Sequence, residues 1–133
     1  MRSMRRLRFA CLVSSGLGLG SVGVPAVAHH SFAMFDTAKQ VTLDGTVKAF
    51  QWTNPHIFVE LVVQGDSGPE SWSVEGASPN MLFRMGWTPT SIKVGDHLTI
   101  VANPLRSGDR GASFIYAKLP NGEVLGTVGY KKP

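Results

Sequence analysis

Short stretches in which apolar and polar residues alternate run through the chain from Val41 onward, and this pattern restricts the fold more than any other feature. Over residues 41–49 the alternation predicts a strand with one buried face, and Gly45 within it predicts a bend or bulge. Asn121-Gly122 is typical of a hairpin turn. The same signals predict further strands over 57–63, 71–75, 97–102, 114–119 and 124–125.

One helix is predicted between the third and fourth strands. Ser78 is a candidate N-cap, Pro79 suits the first helical position, and Gly86 can end the helix in a left-handed conformation. The apolar residues at helical spacing, which we expect to cover one end of the sheet, are Met81, Leu82 and Met85. Three strands, a helix and two or three more strands favour an all-β fold with one short helix, a small OB-type β-barrel of five or six strands, over a β-sandwich.

The first 28 residues have the pattern of a secretory signal peptide. Four arginines precede an apolar, glycine-rich stretch over 9–24, and the small residues Ala26 and Ala28 then stand three residues and one residue before a cleavage point. We therefore expect cleavage after Ala28 and an exported protein, periplasmic or secreted. Arg5-Arg6 leaves the twin-arginine route open beside the general secretory route. The predicted organisation is a signal peptide at 1–28, an N-terminal arm at 29–40 and the barrel domain at 41–133.

The predicted mature chain carries little net charge and no cysteine. Of the 13 Lys+Arg, four lie in the leader, so nine remain to balance the nine Asp+Glu. Without a basic footprint, no nucleic-acid partner is predicted. Cys11 lies in the leader, which excludes a Cys-based zinc or redox site in the rest of the chain. No segment after the leader approaches the ~20 apolar residues of a membrane span.

Three histidines are the candidate metal ligands. After cleavage, His29 would carry both a free amine and an imidazole, a pair that can chelate one ion, with His30 beside it. Imidazole and amine nitrogens suit transition metals, and affinity peaks at Cu(II). His56 follows a proline in a loop between two predicted strands, where it would either join this site or bond only to the nearby backbone. Met34 is a candidate soft ligand for reduced copper, whereas His97 is expected to be an exposed strand residue.

A module without metal, which binds a ligand or a protein through the barrel face and loops, is the alternative function. The aromatic side chains expected on such a face are Phe58, Phe114 and Tyr116. The sequence has no Gly-x-Ser-x-Gly elbow, no His-Glu-x-x-His helix and no Gly-rich phosphate loop, so no enzyme is predicted. The leading hypothesis is a small exported binding protein that takes copper through His29, His30 and His56.

Several short motifs, in order, resemble a family of small exported bacterial proteins known only as a domain of unknown function. The motifs are His29-His30-Ser31-Phe32, Gly45-Thr46-Val47, Trp52-Thr53-Asn54-Pro55-His56, Ser78-Pro79, Gly86-Trp87, Gly95-Asp96 and Asn121-Gly122. The resemblance covers essentially the whole predicted mature chain. It implies an exported protein of one domain, and it assigns no activity or site residue.

Overall fold

The computed structural model describes residues 32–127 and Tyr130. Its elements, in chain order, are a 3-10 turn at Phe32–Met34, β1 at Val41–Gln51, β2 at Phe58–Gly65, β3 at Gly68–Glu75, α1 at Pro79–Arg84, β4 at His97–Pro104, β5 at Gly111–Lys118 and β6 at Val124–Gly126. The strands and the helix lie where the alternation and the capping signals predict them, with ends that differ by a few residues.

The strands form one sheet that closes on itself. Their order is β3-β2-β1-β4-β5-β6, with antiparallel neighbours, and β3 also pairs with β5 in parallel. This last pairing joins Ser73–Glu75 to Gly111–Ser113 and closes five strands into a barrel, while β6 extends the sheet beyond β5. The predicted OB-type barrel with one short helix is confirmed.

The interior is filled by the apolar face of each strand. Ile57, Leu61, Leu98 and Ile100 are fully buried, as the alternation predicts. Trp87, which follows α1, is also buried and packs edge-on against Phe114, with their ring centroids 5.2 Å apart. Its indole Nε1 donates a hydrogen bond to the Gly126 carbonyl at 3.1 Å, so the polar atom of this core residue is satisfied.

Gly45 does not form the predicted bulge. The register of β1 against β2 shifts between Val47 and Ala49, two residues further along the strand. Gly45 is instead a place where two backbones approach closely, because a Cβ added there would lie 2.6 Å from the Val62 carbonyl oxygen. A glycine inside a strand has either meaning, and the pairing decides between them.

Phe114 is buried, so its prediction as an exposed aromatic was wrong. Val101 and Ala102 are adjacent on β4, yet they pair with Tyr116 and Phe114, which leaves Ile115 as an extra residue in β5. A bulge of this kind changes which face the following side chains occupy. As a result Phe114 and Ala117, three residues apart, both point into the core.

Only one of the three apolar helix residues covers the barrel end. Ser78 caps α1, with its side chain accepting from the Met81 amide, and Gly86 has a φ of +89°. Leu82 is fully buried, whereas Met81 and Met85 are exposed, which corrects the prediction for those two residues. The helix has six residues, too few for a second inward turn.

Residues 32–40 lie against the end of β4. Phe35 is buried and forms an isolated bridge with Leu105. The Asp36 amide donates to the Pro104 carbonyl at 2.8 Å, and the Arg106 amide donates to the Met34 carbonyl at 2.9 Å. Backbone hydrogen bonds therefore hold the described part of the predicted arm on the barrel.

Candidate functional site

His56 lies in the loop that connects β1 to β2, directly after the cis peptide bond between Asn54 and Pro55. The loop is tied down on both sides. Thr53 Oγ1 donates to the His56 carbonyl at 3.3 Å, and the Ile57 amide donates to the Ala77 carbonyl at 3.2 Å. The side chain is 23% exposed, so the imidazole is held by its surroundings and still reaches solvent.

The imidazole of His56 pairs with the carboxylate of Glu75. The contact joins His56 Nδ1 to Glu75 Oε1, and the Glu75 side chain is only 14% exposed. Glu75 is the last residue of β3 and lies opposite Phe58, two residues after His56. A carboxylate at Nδ1 favours the tautomer that carries its proton there, which leaves the Nε2 lone pair available as a ligand.

The arm covers one side of this pair. The ring centroids of Phe32 and His56 are 6.0 Å apart, with an angle of 59° between the ring planes. Met34 and Glu75 both line a small cavity of about 140 Å³ beside Phe58. The first described residues of the chain therefore meet the β1–β2 loop at the candidate site.

The remaining candidate residues have different outcomes. His29 and His30 lie outside the described residues. Within the part of the chain that the structure describes, no three His, Cys, Asp or Glu side chains group as a metal site. Phe58 and Tyr116 are half-buried, and Tyr116 stacks on Tyr130 with centroids 4.7 Å apart.

His97 is exposed on β4, as predicted, and it pairs with Asp44 on β1. His97 Nε2 lies 2.5 Å from Asp44 Oδ1, and Thr99 Oγ1 donates to Asp44 Oδ2 at 3.0 Å. The Thr99 hydroxyl and then the His97 imidazole lower the pKa of the Asp44 carboxyl. This cluster lies at the surface, at a different place in the sheet from the His56–Glu75 pair.

A comparison with protein families matches residues 17–114, most of the chain, to DUF6152, a family of unknown function. The chain belongs to this family. This membership agrees with the resemblance to an uncharacterised family. Because the function of the DUF6152 family is unknown, membership assigns no activity to the chain.

Other comparisons add little about its chemistry. No curated protein matches the chain. A solved structure that is similar is the mitochondrial single-stranded DNA binding protein Rim1 of S. cerevisiae, at 8% identity and a TM-score of 0.48, covering 62% of this chain and 93% of that one. No helix among the described residues is long and apolar enough to cross a membrane.

Glu75 is the site residue that the sequence interpretation missed. Its signal is the register of the β2–β3 hairpin, in which a two-residue turn places Gly65 opposite Gly68. Counting outward from that turn brings Glu75 opposite Phe58 and therefore near His56. The strands predicted from the sequence, at 57–63 and 71–75, left residues 64–70 between them, so the position of the turn and therefore the register were not fixed.

Proposed function

We propose that the protein is an exported copper-binding protein, periplasmic or secreted, whose mature chain begins at His29. The proposed ligands are the amine and imidazole of His29, the imidazole of His30 and Nε2 of His56. Cleavage after Ala28 is part of the proposal, because an uncleaved chain has no free amine at His29.

The pairing of His56 with Glu75 is the observation that carries this proposal. Histidines that bind metals usually donate their other ring N–H to a carboxylate or a carbonyl, which fixes the ring and raises its basicity. His56 has such a partner on Nδ1, and its ring is partly exposed. His97 also has a carboxylate partner, Asp44, but that pair is exposed, whereas the His56–Glu75 pair is partly buried.

The position of the arm supplies independent support. Phe32 contacts the His56 ring and stands three residues after His29 in the sequence. Because each residue extends a chain by at most ~3.5 Å, the Cα atoms of His29 and Phe32 are within about 10 Å of each other. The length of the chain therefore allows a terminus at His29 to reach His56.

Copper is favoured by the chemistry of the donors. Nitrogen ligands of this type bind Cu(II) more tightly than the other divalent metals of the first transition row. A free α-amine ordinarily has a pKa of about 7.7–8.0, so a metal can displace the proton of such a group near neutral pH. Met34, exposed beside Glu75, is a candidate thioether ligand when copper is reduced.

The test is a Cu(II) titration of protein that a bacterial host has exported and processed, followed by calorimetry and EPR, after the N-terminus has been sequenced. We expect one Cu(II) per chain, and loss of that binding when one extra residue precedes His29. His56→Gln should weaken binding, and Glu75→Gln should weaken it about 10-fold or more by removing the orienting carboxylate. His97→Gln, at an exposed histidine on β4, is the matched control and should change nothing.

Binding no tighter than that of a free His-His peptide, or binding unchanged by the extra residue, would contradict the copper proposal. Equal Cu(II) affinities of the His56→Gln and His97→Gln proteins would show that His56 is not a copper ligand. Such results would favour the alternative, a module without metal that depends on Phe58 and Tyr116.

A further inference from the structure

A groove of about 560 Å³ lies between the arm, α1 and the end of the barrel. Phe35 and Phe114, both buried, form its floor. Phe32, Met81 and Tyr130 stand around it. Its volume falls within the range of ~300–1,000 Å³ that is typical of small-molecule sites.

The groove is lined by uncharged residues throughout its described wall. Besides the apolar side chains, the lining contains hydroxyl and amide groups, among them Gln40, Asn103 and Thr127. A charged ligand placed here would lose water without gaining an opposite charge, which is costly. A neutral ligand with a few hydrogen-bonding groups would lose much less free energy of hydration, so the lining favours an uncharged ligand.

The rim leaves large apolar side chains in water. Phe32 is 55% exposed and Met81 is 45% exposed, and both border the groove. A flat ligand lying on the aromatic floor would cover them and gain the free energy of burying apolar surface. Aromatic rings on the floor and the rim favour a partner with a ring system of its own.

Contacts between distant parts of the chain hold the walls in place. Asn103 Nδ2 donates to the Lys39 carbonyl at 2.7 Å, which ties the arm to β4 at the groove. Tyr130 stacks on Tyr116 of β5. A site that is formed before binding avoids the cost of ordering its walls.

We propose that this groove binds a neutral small molecule with an aromatic or fused-ring body. The proposal does not depend on copper, because neither of the described copper-ligand candidates, His56 and Met34, lines the groove. Phe32 borders both sites, so an occupant would lie next to the His56 ring.

Two fluorescent probes with one skeleton test the selection against charge. N-phenyl-1-naphthylamine is neutral, and 8-anilino-1-naphthalenesulfonate adds a sulfonate to the same rings. Titrated into the full mature protein in EDTA, the neutral probe should bind with one site per chain, and the sulfonate should bind about 10-fold more weakly or worse. Chelation keeps this result separate from the copper test.

Paired variants locate the binding. Met81→Ala removes a side chain from the rim and should weaken the neutral probe about 5-fold, whereas Phe83→Ala, exposed on the same helix outside the groove, should leave it unchanged. Gln40→Glu keeps the shape of the wall and adds a charge, so it should also weaken the probe. Gln51→Glu, exposed at the end of β1, is its control.

The proposal is overturned if the neutral probe binds more weakly than ~100 μM, since that affinity is no greater than casual contact with exposed apolar surface. Equal binding of the two probes would also overturn it. Equal affinities of the Met81→Ala and Phe83→Ala proteins for the neutral probe would overturn it as well. Circular dichroism verifies that both variants are folded.

Discussion

At the scale of single residues, carboxylates on the barrel take their properties from one or two side chains on neighbouring strands. Glu75 at the end of β3 faces the imidazole of His56, which lies in the loop between β1 and β2. Asp44 on β1 faces the Thr99 hydroxyl and the His97 imidazole on β4. The first pair is partly buried and the second is exposed. Burial makes the first a candidate ligand-orienting pair, and exposure leaves the second as a modest contribution to stability.

Asp44 predicts a specific pH dependence. Its pKa is lowered in the folded protein by Thr99 and then by His97, so the folded state resists protonation of this carboxyl more than the unfolded chain does. The stability that it contributes is present at neutral pH and is lost as the pH falls below the ordinary value of about 3.9. Asp44→Asn should therefore lower the Tm slightly at pH 7 and make little difference at pH 2.5.

Thermal unfolding followed by circular dichroism at both pH values checks this expectation. Asp66→Asn, a change in the turn between β2 and β3, is the control for altered net charge. A difference between wild type and Asp44→Asn that is as large at pH 2.5 as at pH 7 would show that the charge of Asp44 is not its source.

At the scale of elements, α1 and β5 show how short segments are tuned by their surroundings. Helix α1 buries Pro79 and Leu82, of which Leu82 belongs to the core cluster, and the chain beyond the helix adds Trp87 and Ile92 to that core. Strand β5 carries a bulge that brings Phe114 inward. In both elements packing against the barrel determines which side chains point inward. Local periodicity alone predicts that Met81 and Met85 are buried and that Phe114 is exposed, and the structure shows the opposite.

For α1, we predict that substitution of a buried residue lowers the free energy of unfolding far more than substitution of an exposed residue. Leu82→Ala leaves a cavity beneath the helix and should lower the free energy of unfolding by about 2–5 kcal/mol. Phe83→Ala, at a side chain that is 66% exposed, should change it by less than ~1 kcal/mol. Urea denaturation of the two variants measures both values, and similar losses would mean that α1 does not seat on the barrel through Leu82.

At the scale of the whole molecule, closure of the barrel and docking of the arm are separate kinds of contact. Closure depends on β3 pairing with β5 around one shared apolar interior. The arm lies on this barrel through backbone hydrogen bonds and Phe35, which is buried outside the main core cluster. The His56–Glu75 pair and the groove both lie where the arm meets the barrel.

This arrangement predicts that the arm opens more easily than the barrel. Native-state hydrogen exchange should show the Asp36 amide, which donates to Pro104, exchanging at a lower opening free energy than amides of the β1–β4 pair. The central strands are held on both sides, whereas the arm is held on one. Equal protection of Asp36 and the β1–β4 amides would mean that the arm and the barrel unfold as one unit.

The sequence predicted the parts of the fold that depend on local signals. Alternation located the strands, Ser78 and Gly86 bounded the helix, and their order indicated the OB-type barrel, because strand faces and helix caps are decided within a few residues. For the candidate site, the sequence identified His56 by its loop, while the proposed roles of His29 and His30 rest on the sequence alone.

Only the tertiary structure decided which distant residues meet. The bulge that buries Phe114 follows from pairing between β4 and β5, and the close approach at Gly45 follows from pairing between β1 and β2. Glu75 reaches His56 through the register of a hairpin, and Phe32 reaches it because the arm docks on β4. Register and docking depend on the fit of whole elements to one another, and a local pattern of residues does not specify that fit.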